Sequence, residues 1–480
     1  MATVITSIGS KSTTGDPVNG QMTMISNTGS GTPWTGTLVV GSAPTANVGD
    51  MVFFDYVYYN CGGFGGGCSG PADIIYLITA VSSTTLTIKY ISGGANSAPM
   101  DLKANSMGSS NAQPYVLRFY STIDTWNVGL DDSGLYTLDD IAQGELYKDS
   151  DFTINSSPAN SGGQDTGISD GRITVPLSQR HDGTAGSGVR FKLASSANCA
   201  YFNLNYNTGT ASNDIRRLFE WIEYDGQSYG QAGCRRTVYM SAGGSYAYFS
   251  EVNHLLIHNF EMGGNGYVNA IYFNSIWGCA HNNIIYDMTT ESGSTATGMH
   301  AIGLRSNRNS IGIFNNTVYN IQTDSSGQSA VGIALQDHIN IKGINNISVS
   351  CADEDFLCTD GGDIGGNNNL SSDSTAPGSN SVTGASASDL FENITAGSED
   401  LHLKDGAEAL RAGEDLGTGY TINGEVFGGT TTATTTLNID IDSRNRDSEG
   451  DDWDIGVDQC DTCSEGGATG NPALLLFFDT

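Results

Sequence analysis

The pair Asn-Asn returns at near-regular intervals in the second half of this chain, and that recurrence constrains the fold more than any other feature. Asn282-Asn283-Ile284-Ile285-Tyr286-Asp287-Met288 is echoed by Asn315-Asn316-Thr317-Val318-Tyr319-Asn320-Ile321. The pattern returns as Asn345-Asn346-Ile347-Ser348-Val349-Ser350 and, more weakly, as Asn368-Asn369-Leu370-Ser371-Ser372. From Asn283 to Asn316, Asn346 and Asn369 the steps are 33, 30 and 23 residues. Short alternating segments at such spacing are the signature of a solenoid, in which each repeat is one coil stacked on the last. The bend of each coil needs a residue in the left-handed region, which Asn and Gly tolerate best. Stacked bends then place Asn283, Asn316, Asn346 and Asn369 above one another, where their amides can hydrogen-bond in a ladder. The competing arrangement is a β-sandwich with Asn-rich turns. A left-handed β-helix would show strict hexapeptides, and none is found.

Composition agrees with an all-β chain. Gly accounts for 63 of 480 residues, and charged residues for only 15%. Good helix formers are sparse, while 17 Phe, 21 Tyr and 5 Trp argue against disorder. The 20 Lys+Arg against 52 Asp+Glu give a formal charge of −32, a surface that repels nucleic-acid backbones. No apolar stretch approaches the length of a membrane span. The first 20 residues lack a basic region followed by an apolar run, so no secretory signal is expected. Nine Cys is an odd number, which fits synthesis in a reducing compartment better than a secreted disulfide framework. An exterior-type composition on a chain made inside a cell suggests a component of a virus particle or an extracellular surface.

Three regions are expected. Residues 1–115 read as a small β-barrel or sandwich serving attachment, with a hairpin formed by residues 74–81 and 84–91 about Ser82-Ser83. Residues 116–395 read as the parallel β-helix, with one short helix from Leu135 to Leu146. Residues 396–480 read as an irregular C-terminal cap ending in the apolar run Leu474-Leu475-Leu476-Phe477-Phe478. That run serves either as a strap into a neighbouring subunit or as a cover for the chain's own last coil.

The Asn-Asn-x-Ile-Tyr coils resemble the right-handed parallel β-helix, or pectate-lyase-like, superfamily. Asp400-Leu401-His402-Leu403-Lys404 with Ala407–Gly413 resembles the segment that follows many bacterial and phage β-helices. Asp440–Arg446 with Trp453-Asp454-Ile455-Gly456-Val457-Asp458 resembles their ending, with Val457-Asp458 in place of the usual Ala-x-Glu. Asp139–Tyr147 and Arg180–Gly183 are similar to stretches of β-helix proteins from phage and environmental bacteria. The resemblance implies an all-β right-handed parallel β-helix, a homotrimeric prior, and a structural or receptor-binding role on a bacteriophage particle with contact to cell-surface glycans. Two alternatives stand beside it: a polysaccharide lyase or glycoside hydrolase, and a self-assembling filament or adhesin subunit. No cofactor is required by the first reading.

The candidate chemistry is sparse. Lyase-type catalysis would need clustered carboxylates for Ca²⁺, and the coil cluster holding Asp353 and Asp355, with Arg305 and Arg308 earlier, is the place for it. Hydrolysis would need two spaced carboxylates, and Glu223 with Asp225, two apart on one strand face, is the better pair. For both, the plainer reading is a solvated acidic surface. Asp440, Asp442, Asn445 and Asp447 head the densest run of oxygen donors and are candidates for a structural Ca²⁺. Cys61/Cys68 and Cys460/Cys463 are local pairs, either disulfides or free thiols.

Overall fold

The computed structural model describes residues 3–9, 16–17, 35–39, 46–54, 74–83, 85–92, 114–130, 135–136, 140–154, 159–160, 168, 170–194, 202–206, 215–231, 236–242, 248–274, 277–305, 310–324, 327–336, 340–359, 365–429, 435–448, 452–460 and 462–463. Two compact units emerge. The first comprises 1–152, 159–179 and 206–217; the second comprises 153–158, 180–205 and 218–480.

In the first unit an antiparallel sheet runs in the order Asp16–Pro17, Pro114–Leu117, Met51–Phe54, Ile74–Ser82, Thr85–Ser92, Thr35–Val39. The expected hairpin is its centre, with Ser82 paired to Thr85 and Ser83 in the left-handed region. Thr3–Ile8 leaves this sheet and pairs in parallel with Ile141–Leu146, which pairs in parallel with Asp170–Thr174. The helix expected from Leu135 to Leu146 is therefore overturned. Ile141–Leu146 alternates half-buried and buried residues with a period of two, and a helix stands earlier, at Ile123–Gly129. Gly144 explains part of this: it weakens a helix, and here its missing side chain leaves room for the Trp126 indole.

The second unit is a parallel β-solenoid of three sheets. Each coil visits them in turn. The first sheet stacks Tyr248–Asn253, Trp277–His281, Ile311–Phe314, Ile341–Ile344 and Gly365–Asn367. The second stacks Arg190–Leu193, Glu223–Asp225, Leu256–Met262, Ile284–Thr290, Thr317–Ile321, Ile347–Val349, Leu370–Ser371 and Val382–Thr383. The third stacks Arg236–Ala242, Gly266–Asn274, Ala296–Arg305, Ser329–Gln336 and Glu354–Thr359. Apolar columns such as Val238, Ile271, Ile302, Ile333 and Phe356, in register on successive coils, fill the interior.

The paired asparagines divide two tasks. The first of each pair takes the left-handed conformation, with φ of 53°, 51°, 58° and 52° at Asn282, Asn315, Asn345 and Asn368; Trp221 and His254 occupy the same corner on earlier coils. The second forms the interior ladder. Asn283 Nδ2 donates to Asn316 Oδ1 at 2.8 Å, Asn316 to Asn346 at 3.0 Å and Asn346 to Asn369 at 3.0 Å. Each rung's Oδ1 also accepts the backbone N–H of the preceding rung's asparagine. Each Nδ2 also donates to a main-chain carbonyl, Ala280 in the case of Asn316. All four are fully buried, so these bonds satisfy groups that would otherwise be desolvated without partners.

The C-terminal segment does not simply close the end of the solenoid. It runs back along the corner and is held there by the first asparagines. Asn368 Nδ2 donates to Ala412 O, Asn345 Nδ2 to Glu414 O, and Asn315 and Asn282 both to Leu437 O. His254 Nε2 donates to Ile439 O, and Trp221 Nε1 to Thr435 Oγ1. A second apolar core forms beneath it: Phe249, Cys279, Phe314 and Ile344 of the first sheet pack against Leu416, Ile422, Phe427, Leu437 and Trp453. At Gly456, with φ of 100°, a Cβ would lie 2.6 Å from the Ile347 side chain, so only glycine permits this close approach. Cys460 and Cys463 form a disulfide near its end. Cys61, Cys68 and Leu474–Phe478 lie outside the described residues. No helix among the described residues is long and apolar enough to cross a membrane.

Candidate functional site

Where the C-terminal segment meets the outer face of the second sheet, a cleft of about 330 Å³ opens. Asn259 and Tyr286 come from the sheet, Thr184 from the loop before Arg190–Leu193, and Asn393, Ser398, Glu399 and Asp400 from the C-terminal segment. Asp225, His258, Tyr286 and Tyr319 stand in register on four successive coils. The His258 ring lies flat on Tyr286, with centroids 5.1 Å apart and planes inclined by 7°.

His258 links the cleft to a buried carboxylate pair. Asn259 Nδ2 donates to His258 Nδ1 at 2.9 Å, so the ring proton sits on Nε2, which donates to Glu223 Oε1 at 3.1 Å. Glu223 Oε2 accepts the Gly186 N–H at 2.8 Å, and Asp225 Oδ1 accepts the Gln227 N–H at 2.9 Å. Glu223 and Asp225 thus share a site, as their spacing suggests. Both are buried, which corrects the plainer expectation of a solvated acidic face.

A second left-handed column, missed in the sequence, shapes the same wall. Asn259, Asp287, Asn320 and Ser350 have φ of 56°, 51°, 57° and 63°. The residue after Tyr286 and Tyr319 is Asp or Asn in both coils, a signal that was present. Asn320 Nδ2 donates to Asp287 Oδ1 at 2.6 Å. Burial, and then the hydrogen-bonded Glu399 carboxyl, push Asp287 up to about 6 against the opposing Asn320 bond. Because the folded value lies above the unfolded one, the protonated carboxyl favours the fold; that contribution is complete below pH 3.8 and is lost as pH rises through 6. Asp287 is partly exposed, so the effect is screened to about 1 kcal/mol or less. Urea midpoints of Asp287→Asn at pH 5 and pH 8 are expected to differ less than those of the parent chain; an unchanged difference would assign the slope elsewhere.

A third cluster lies just beyond Asp400. His402 Nδ1 donates to Asp400 Oδ1 at 2.5 Å, while Nε2 faces Asp442 Oδ1 at 3.4 Å. Asp458 completes the group, and its Oδ2 accepts the Leu403 N–H at 2.8 Å.

The remaining sequence candidates do not gather into one site. Asp355 Oδ2 accepts the Ser372 and Asp373 N–H groups and the Ser372 hydroxyl, and Oδ1 accepts the Cys351 N–H. Asp353 Oδ2 accepts the Ala330 N–H at 2.6 Å. Both act as corner fasteners for the chain; Arg308 and the Arg305 side chain lie outside the described residues. The proposed oxygen cage is also divided. Asp440 Oδ1 accepts the Arg444 N–H, Asp442 turns to His402 and Arg444, and Asn445 and Asp447 both accept from Asn438 Nδ2. The structure thus defines a parallel β-solenoid with a polar cleft beside two histidine–carboxylate clusters. Comparison with protein-family models, with curated proteins and with solved structures finds no match.

Proposed function

We propose that this chain is a glycan-contacting β-solenoid of a particle or cell surface, and that the cleft between the second sheet and residues 393–400 is its contact site. The observation that carries this reading is the polar lining: two amides, two hydroxyls and two carboxylates converge on a cleft of about 330 Å³ whose floor is the buried Tyr286 ring. Sugars present a dense fringe of hydroxyls, which convergent amides, hydroxyls and carboxylates match. Glu399 and Asp400 in the wall, on a chain of charge −32, disfavour uronate-rich polysaccharides and favour neutral or amino-bearing glycans. Binding to a glycan array of neutral, amino-bearing and acidic chains is expected to select the first two. Ser398→Trp, at an exposed position, should lower that binding at least tenfold with an unchanged melting temperature. Binding that Ser398→Trp leaves intact, or none on the array, would overturn the reading.

The Asp287–Glu399 pair favours a second reading, glycoside hydrolysis. A carboxyl raised to about 6 is matched to proton donation near neutral pH. Hydrogen-bonded carboxyls are closer than the separation of roughly 5 Å or more that glycosidase pairs require, so Asp400 would have to supply the second carboxylate. Turnover abolished by Asp287→Asn with binding retained would support hydrolysis over binding alone.

A further inference from the structure

We infer that His402, Asp442 and Asp458 form a binding site for a divalent transition-metal ion such as zinc. One ligand atom from each can be chosen so that all lie within 4.8 Å of one another. Two donors each about 2.1 Å from a common ion stand no more than about 4.2 Å apart, so a small inward shift of these side chains closes the set. The histidine is already oriented as a ligand. Its Nδ1–H is committed to Asp400 at 2.5 Å, which fixes the ring and turns Nε2 toward Asp442. A carboxylate on the far ring nitrogen is the usual outer support of a metal-bound histidine. Nε2 makes no well-formed hydrogen bond and faces Asp442 Oδ1 at an ion-pair distance of 3.4 Å.

A second, independent observation lies two residues before Asp442. Asp440 is fully buried, its Oδ1 accepts the Arg444 N–H, and its Oδ2 has no hydrogen-bond partner. A buried carboxylate oxygen without a donor is costly; the Arg446 guanidinium offsets its charge in part, while Asp458 and Asp442 add to it. A divalent ion would add to the charge that Arg446 and Arg444 already set against these three acidic groups. His402 and Asp442 are about one-fifth exposed, which leaves a path for entry, whereas Asp458 is buried. The nitrogen donor favours zinc over calcium, whose ligands are oxygens. This smaller mixed site shares Asp442 with the calcium cage expected from Asp440, Asp442, Asn445 and Asp447. The other histidine–carboxylate cluster is less suited, because both nitrogens of His258 are already hydrogen-bonded.

The test is calorimetric titration of the chelator-treated full chain with zinc alone, and separately with calcium alone. One zinc per chain is expected, with His402→Asn and Asp442→Asn each weakening binding at least 100-fold while circular dichroism stays that of the parent. His258→Asn is expected to bind zinc like the parent. The inference fails if the parent binds no zinc, if calcium saturates the site and zinc does not, or if His258→Asn loses binding in place of His402→Asn. Asp442→Asn, at a partly exposed position, decides the matter should His402→Asn fail to fold. This site stands independently of glycan binding, since its readout is metal alone.

Discussion

Replacing Asn316 with alanine is expected to destabilise the solenoid by about 4 kcal/mol, as the net result of several buried groups losing partners together. Asn316 Oδ1 accepts from both the backbone N–H and the side-chain amide of Asn283, while its Nδ2 donates to Ala280 O and Asn346 Oδ1. The site is fully buried, so water does not replace those bonds. Its neighbour provides the contrast. Asn315 is in the left-handed region; its Nδ2 donates to Leu437 O at 3.3 Å and its Oδ1 accepts from Asn345 Nδ2 at 3.1 Å. Asn315→Gly removes both bonds, but it relaxes the backbone and leaves Asn345 Nδ2 its bond to Glu414 O, so a smaller loss of about 1–2 kcal/mol is expected. Chemical denaturation of both variants checks this; equal losses would mean that the interior ladder is not what holds adjacent coils in register.

The second large effect is expected at Trp453. Its side chain is buried in the apolar core between the first sheet and the C-terminal segment, with the Arg446 guanidinium 5.5 Å from its ring. Trp453→Ala should cost about 3–5 kcal/mol, the range for truncating a buried aromatic. The loss falls on the attachment of the segment, because Trp453 is not part of any coil. Limited proteolysis should then cut within residues 400–460 while the strand signal of the coils persists. Loss of both together in one transition would show that coils and segment fold as a single cooperative unit.

The coils were legible because their cause is local and repeated. A bend needs a left-handed residue and a buried corner needs a self-complementary amide, and Asn-Asn supplies both at each turn. The hairpin at Ser82-Ser83 was legible for the same reason. The strand Ile141–Leu146 was misread as helical because its acidic neighbours suggested a polar helix face, although its period is two and it contains Gly144. The candidate site was legible only in part. Glu223 and Asp225 could be paired by their spacing, but His258 joins them from the next coil, 33 residues beyond Asp225. Glu399 and Asp400 reach the cleft only because the C-terminal segment returns along the solenoid. Counting carboxylates pointed toward a calcium loop, while the fold also brings Asn438, Arg444 and His402 to its oxygens, which spacing alone does not reveal.

The outward amides of Asn282, Asn315, Asn345 and Asn368 have a consequence for biogenesis. On a ribosome, every coil through residue 383 emerges before the segment that those amides fasten. The nascent solenoid therefore passes through a stage in which the corner amides and the apolar flank of Phe249, Phe314 and Ile344 face water. Self-association, if it competes with folding, has its window there, and arrival of the Leu416–Trp453 stretch closes it.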